Sequence, residues 1–285
     1  MTATARPQAR AVDRHAFLAF GGGRCEILAC GAPPDAVSAA VADVYAFEER
    51  LSRFLPGSEL SRLNARAGER VAVSPLLATL LEAAVEAHAL TGGLVNIAIL
   101  PQLLAAGYDA SIEVVRRRER PAPAAEPLRP RPLPDALELG DGWARLRPGC
   151  ALDLGGVAKG WLADRLAERL EDAVVNLGGD LRARGGGPDG EGWSVELCDG
   201  SRLRARNAGV ATSGAGGRRW PGGHHLVDPR TGAPATSGIL AASVVAADAL
   251  AAEALAKSVA ILGALAGPAF AVERGAAHVA VLPAH

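Results

Sequence analysis

Two glycine-punctuated turns within residues 150–187, CALDLGGVAKGWLADRLAERLEDAVVNLGGDLRARGGG, constrain this chain more than any other stretch. By periodicity it is strand, glycine turn, helix, strand, glycine turn. The apolar run 151–154 is broken by Gly155-Gly156, and an amphipathic helix is expected over about residues 157–172 with Leu162, Leu166 and Leu170 on one face. A glycine turn that feeds a helix leaves unpaired N–H groups and the positive end of the helix dipole facing outward. Lys159 falls in the first turn, so the spot suits a phosphate. A second run, 173–177, also ends in glycines and is followed by Asp180, which sets an acid beside the anion cradle and suits a metal-bound phosphate ester. Neither LGGVAKG nor LGGD matches the phosphate loop of nucleotide hydrolases or the dinucleotide fingerprint. Taken alone, the stretch therefore leaves a plain packing turn as the simpler reading.

A chain of 285 residues has room for one large domain or two modest ones. With 49% hydrophobic and 21% charged residues it has the composition of a soluble globular protein rather than a disordered one. The 30 basic residues are matched by 31 acidic ones, so no global field recruits nucleic acid or an anionic membrane, and any anion site must be local. Cys25, Cys30, Cys150 and Cys198 show no CxxC spacing and no histidines in a zinc-site pattern. They read as buried free thiols, which fits a reducing compartment. The first residues lack an apolar core of signal-peptide length and no run approaches 18 apolar residues, so a cytoplasmic protein is expected.

A first strand is expected over 24–29, followed by a helix that starts at Pro33-Pro34-Asp35, carries Val37, Val41, Val44, Leu51 and Leu55, and ends at Pro56-Gly57. Ser58 can cap a short helix; Ser61 and Asn64 at its end read most simply as parts of a capped turn. Ser74-Pro75 opens another helix that Gly92 closes, and the lone His88 inside it has little functional weight. The Arg/Pro-rich stretch 116–134 reads as a solvated excursion, and without interleaved aromatics it is not a nucleic-acid surface. Residues 192–214 alternate like an antiparallel meander. The loop GGRRWPGGHHLVDPRTGAPA crowds His224, His225, Asp228 and Thr231 between strands, where a surface turn and a chemical site are equally open readings. A last helix runs from Asp248 to Gly263. Its Glu253 and Lys257, four apart, form either an exposed ion pair or, among apolar neighbours, buried charges that need a partner or a cation.

Together, SRFLPGSELSRLN, TGG, DLGGVAKGWLADRL, VVNLGGD, ATSG, HHLVDPRTGAP and DALAAEALAKSVAILG resemble, in order, the motifs of the FAD:protein FMN transferase family, ApbE, across roughly residues 20–265. The resemblance implies an α+β protein with a two-lobed fold of mixed or antiparallel sheets packed with helices. It implies one such domain over 16–285 after a flexible stretch 1–15, with the excursion 116–134 inside it. Its activity would be magnesium-dependent transfer of the FMN half of FAD onto a threonine or serine hydroxyl of an acceptor flavoprotein, with release of AMP. By the same resemblance, Asp153 and Lys159 contact FAD, the lysine at the diphosphate, while Phe54 stands beside the flavin and Leu94, Val95 and Asn96 meet FAD. Gly156 offers its carbonyl to the metal, Glu253 and position 257 complete the metal cage, and His225 is the base that deprotonates the acceptor hydroxyl. Histidine supplies a base near neutral pH, and a divalent ion neutralises charge on the transferring and leaving oxygens.

The chain departs from the family pattern at four places. An early MGT is Gly21-Gly22-Gly23, FDPT is Val95-Asn96-Ile97-Ala98, Glu253 replaces an aspartate, and Lys257 stands where a threonine would bind the metal. A protonated lysine has donors and no acceptor. Either its ammonium replaces part of the cation's charge or the metal site has weakened. Two further readings are an FAD pyrophosphatase, with water in place of the hydroxyl, and a flavin carrier without catalysis.

Overall fold

A computed structural model of the chain describes residues 10–33, 35–119 and 128–284. A seven-stranded sheet is built from Val12–Ala19, Gly23–Cys30, Ala173–Leu177, Asp180–Ala183, Ala208–Ser213, Ile239–Ala246 and His278–Pro283, in that spatial order. Each pairing in it is antiparallel. Spatial order follows chain order, and residues 31–172 are an insertion between two neighbouring strands that pair from Cys25 opposite Leu177 to Ala29 opposite Ala173. The insertion carries its own three-stranded sheet, Val71–Ala72, Trp143–Leu146 and Leu137–Gly140, with several helices. The expected α+β class is borne out.

Strand side chains alternate between faces, and both faces of the large sheet are covered. Val174, Leu181, Val210 and Val245 pack against Trp193, Val195 and Ala205 of the hairpin Trp193–Glu196/Arg202–Ala205. Their neighbours Val175, Ala211 and Val244 face the helices. Helix Ala158–Leu170 buries Leu162, Leu166 and Leu170, the stripe its sequence shows. Helix Ala249–Leu262 is capped by Asp248, whose side chain accepts from the Ala251 N–H at 2.7 Å. The two helices cross at Gly160, where a Cβ would lie 2.5 Å from the Ala249 carbonyl oxygen, so glycine alone permits this approach. Asp164 fastens the crossing by accepting from the N–H groups of Ala249 and Leu250.

Several expectations need correction. Residues 151–154 are extended but belong to no sheet. Their backbone is held by Asn64, which bonds both the N–H and the C=O of Leu152, and by Ile97, whose carbonyl accepts from Asp153 N–H at 2.8 Å. Residues 192–214 are a separate hairpin plus one strand of the large sheet rather than a single meander. A strand starts at Val12, so the stretch expected to be flexible over 1–15 is ordered from there on; residues 1–9 lie outside the described residues. Of the excursion 116–134, residues 120–127 lie outside them too, and its end is no mere solvated linker. Leu133 and Ala136 are fully buried in the main core. All four cysteines are free thiols, three of them buried, as expected. Among the described residues no helix is long and apolar enough to cross a membrane.

Candidate active site

A cavity of about 300 Å³ opens where the insertion meets the large sheet and its helices. Phe54, Leu94, Val95, Asn96, Asp153, Gly156, Lys159, His225 and Lys257, all singled out from sequence, line it. Glu253 lies behind the wall, 3% exposed, and accepts from the Gly160 N–H at 2.9 Å.

Each segment is held by a local device. The turn after helix Pro75–Leu90 reverses through Gly92 and Gly93, both at positive φ, which glycine adopts without strain. His88 Nδ1 then bonds the Val95 carbonyl at 2.9 Å, and Thr91 Oγ1 accepts from Val95 N–H at 3.0 Å. Leu94–Asn96 are thereby fixed against the cavity, so His88 positions the wall even though its sequence context gave it little weight. Asn96 faces the cavity with its amide already engaged: Nδ2 donates to the Arg131 carbonyl at 2.8 Å and Oδ1 accepts from Ala98 N–H at 2.9 Å. The DPRTG turn is closed by Asp228, whose carboxylate takes a bidentate grip from Arg230 and whose backbone oxygen accepts from the Thr231 and Gly232 N–H groups.

The cavity lining is chemically mixed. Phe54, Tyr108, Leu94, Leu103 and Val227 form its apolar part. Phe54 meets Tyr108 edge-on at 5.7 Å, and Tyr108 stacks on Trp220 at 5.0 Å. The Arg53 guanidinium lies 4.0 Å over the Phe54 ring and 4.7 Å over that of Tyr108, and its Nε donates to Asp153 at 2.5 Å. The N-terminus of helix Ala158–Leu170 adds Lys159 to the lining together with Lys257, and Arg218 acts on both Lys159 and Tyr108. Lys159 is paired with Asp180 and lies 3.9 Å from Glu253 Oε1. Burial pushes its ammonium down to about 8, against the pull of Glu253, and the cations Arg218 and Lys257 add to the downward shift.

The two adjacent histidines differ sharply. His224 is consumed by the backbone: Leu226 N–H donates to Nδ1 at 3.3 Å and Nε2 donates to the Ala235 carbonyl at 2.9 Å. His225 lines the cavity with its Nδ1 buried and without a hydrogen-bond partner among the described residues. Burial, then the cations Arg218 and Lys257, hold its pKa well below 6.5, so at neutral pH it is an uncharged imidazole able to accept a proton.

The magnesium cage expected at Gly156, Glu253 and Lys257 does not fit these residues. Lys257 Nζ lies 3.4 Å from the Gly155 carbonyl oxygen, and a Cβ on Gly156 would sit 2.7 Å from it, so an ammonium occupies the place between the glycine turn and the helix. Glu253 gives one oxygen to the Gly160 N–H, and the other, without a hydrogen bond, lies 3.9 Å from Lys159 Nζ, so the one carboxylate of the expected cage already faces an ammonium.

Arg53, Tyr108, Arg218 and Glu48 went unnoticed in the sequence. Glu48 closes one side of the cavity by accepting from the N–H groups of Phe20 and Gly21. Arg53 sits inside SRFL beside Phe54 and was within reach of sequence reasoning; Arg218, in a glycine-rich run, carries no local signal.

A family model described as the ApbE family matches residues 22–282. Among curated proteins, the FAD:protein FMN transferase of Vibrio cholerae is 27% identical over 250 residues, covering 78% of this chain and 72% of the relative. That of Treponema pallidum is 30% identical over 240 residues, covering 71% and 66%. The apo flavinyl transferase ApbE of Pseudomonas stutzeri superposes with a TM-score of 0.78 at 22% identity, covering 92% of this chain and 88% of that one. The ApbE protein of Thermotoga maritima gives 0.80 at 22% identity, covering 96% and 97%. At such identities the superpositions speak for the fold, and the family match speaks for kinship. With nearly its whole length matched and its motifs drawn around one cavity, the chain belongs to the ApbE family.

Proposed function

We propose that this protein transfers the FMN moiety of FAD to a threonine or serine hydroxyl of an acceptor protein and releases AMP. The observation that carries the reading is a single cavity lined by aromatic rings, by two lysines and by an uncharged histidine. FAD has parts that suit such a lining: a flat flavin and a diphosphate. Phe54 and Tyr108, with Leu94 and Val95, receive the ring, and Lys159, Lys257 and the helix N-terminus receive the diphosphate. Asp153, already bonded to Arg53 and to Gly155 N–H, braces the turn that faces the nucleotide.

The acceptor hydroxyl attacks the phosphorus of the FMN half. His225 takes its proton, an O–P bond forms, and the bond from that phosphorus to the bridging oxygen breaks, so that AMP leaves with the bridging oxygen. The surrounding ammonium groups offset the charge that grows on the leaving oxygen. Magnesium has no part in this scheme, because the cation held at its expected place is Lys257. The four free thiols support a reducing, cytoplasmic setting.

The test is incubation with FAD and a threonine-bearing acceptor, following AMP, free FMN and fluorescence of the acceptor on a denaturing gel. Labelled acceptor with equimolar AMP is the expected result. AMP with free FMN and an unlabelled acceptor would make the protein a pyrophosphatase, and bound FAD without AMP would make it a carrier.

A further inference from the structure

The cationic part of the cavity lining carries an inference that rests on the FAD reading and goes past it. Helix Ala249–Leu262 brings Lys257 into the cavity wall one turn beyond the buried Glu253. Among the described residues its ammonium has one acceptor, the Gly155 carbonyl oxygen at 3.4 Å, which leaves two of its three N–H groups for a ligand. The space it fills is the space of a missing side chain, since a Cβ on Gly156 would lie 2.7 Å from Nζ. Glycine and lysine are thus matched across the turn. Lys159, in the first turn of helix Ala158–Leu170, lines the same cavity, as does Arg218. Lys159 already has Asp180 and Glu253 beside it, whereas Lys257 makes no ion pair among the described residues and is the cation left for an anion. A divalent ion brought to the same place would meet an ammonium where it needs an oxygen.

We propose that Lys257 substitutes for the divalent cation: anchored on the Gly155 carbonyl, its ammonium bonds the diphosphate of FAD directly, and FAD binds this chain without metal.

Calorimetric titration of the purified protein with FAD, in excess EDTA and again in millimolar magnesium, tests this. The wild type is expected to bind with the same affinity, within about twofold, in both. Lys257→Met keeps the apolar stem and removes the charge. It is expected to lose about tenfold or more in FAD affinity in EDTA, the worth of one charge-assisted hydrogen bond, while riboflavin, which has no phosphate, binds as to the wild type. Lys257→Arg is expected to recover most of the FAD affinity. Wild-type binding that collapses in EDTA, or a Lys257→Met variant that binds FAD as tightly as the wild type, would overturn the proposal while leaving the flavin site standing. Failure of the wild type to bind FAD under either condition would overturn both it and the functional reading beneath it.

Discussion

His224 and His225 are neighbours in a glycine-rich loop, and position alone does not separate them. Their hydrogen bonds do: one ring is spent on Leu226 and Ala235, the other keeps a buried, unpartnered nitrogen at the cavity. His225→Ala is therefore expected to cut acceptor labelling by about 10²–10⁴-fold, the usual worth of a general base, with FAD affinity close to wild type. Because its pKa is held below 6.5, the base stays uncharged as pH falls through that value, and the acid limb of the labelling rate should appear only at lower pH. Lys159 titrates in the opposite sense. Its ammonium is present below about 8 and lost above it, so FAD affinity, read by titrations on both sides of that pH, should weaken as pH rises. His225 could be picked out in the sequence through the spacing of HxxDPRTG. Glu48 and Arg218 could not, because their parts depend on which distant backbone they meet.

Elements in this fold are placed by a few polar clamps and close approaches. Asn64, in the last turn of the short helix Glu59–Ala65, makes both bonds to Leu152, and through Leu152 it sets the start of the glycine turn on which Lys159 and Gly156 depend. Asn64→Ala is expected to cost about 2 kcal/mol in urea unfolding, one for each bond, and to weaken FAD binding as well. Gly160→Ala would press a methyl against the Ala249 carbonyl, 2.5 Å from the new carbon. A loss of about 1–3 kcal/mol is expected from that overpacking, together with a displaced Glu253. Helix Ala158–Leu170 was legible to within two residues at each end and caps at Ser58, Ser74 and Asp248 marked the starts of three others, but the helix expected to end at Pro56-Gly57 stops at Leu51. The run 151–154 misled, because an apolar stretch ended by glycines has the same pattern whether its backbone joins a ladder or is held by Asn64 and Ile97. The end of the Arg/Pro-rich stretch misled for a related reason. Composition averages over residues, and the burial of Leu133 is a property of one.

Across the whole molecule, the sheet is a simple antiparallel progression interrupted by one long insertion. The interruption makes the site: Phe54 and Leu94 come from the insertion, Lys159 from the helix that ends it, His225 and Lys257 from the far end of the chain. No local pattern encodes such a convergence, and only the joint order of several motifs made it readable beforehand. The proposed transfer requires these segments to grip one FAD, with its diphosphate at Lys159 and Lys257 and its ring at Phe54. A crystal structure of the His225→Ala variant with FAD tests this most directly. The expected result is diphosphate oxygens within about 3.2 Å of both ammonium groups and the flavin against Phe54 and Tyr108. FAD bound outside this cavity, or turned with its diphosphate at Phe54 and Tyr108, would contradict it.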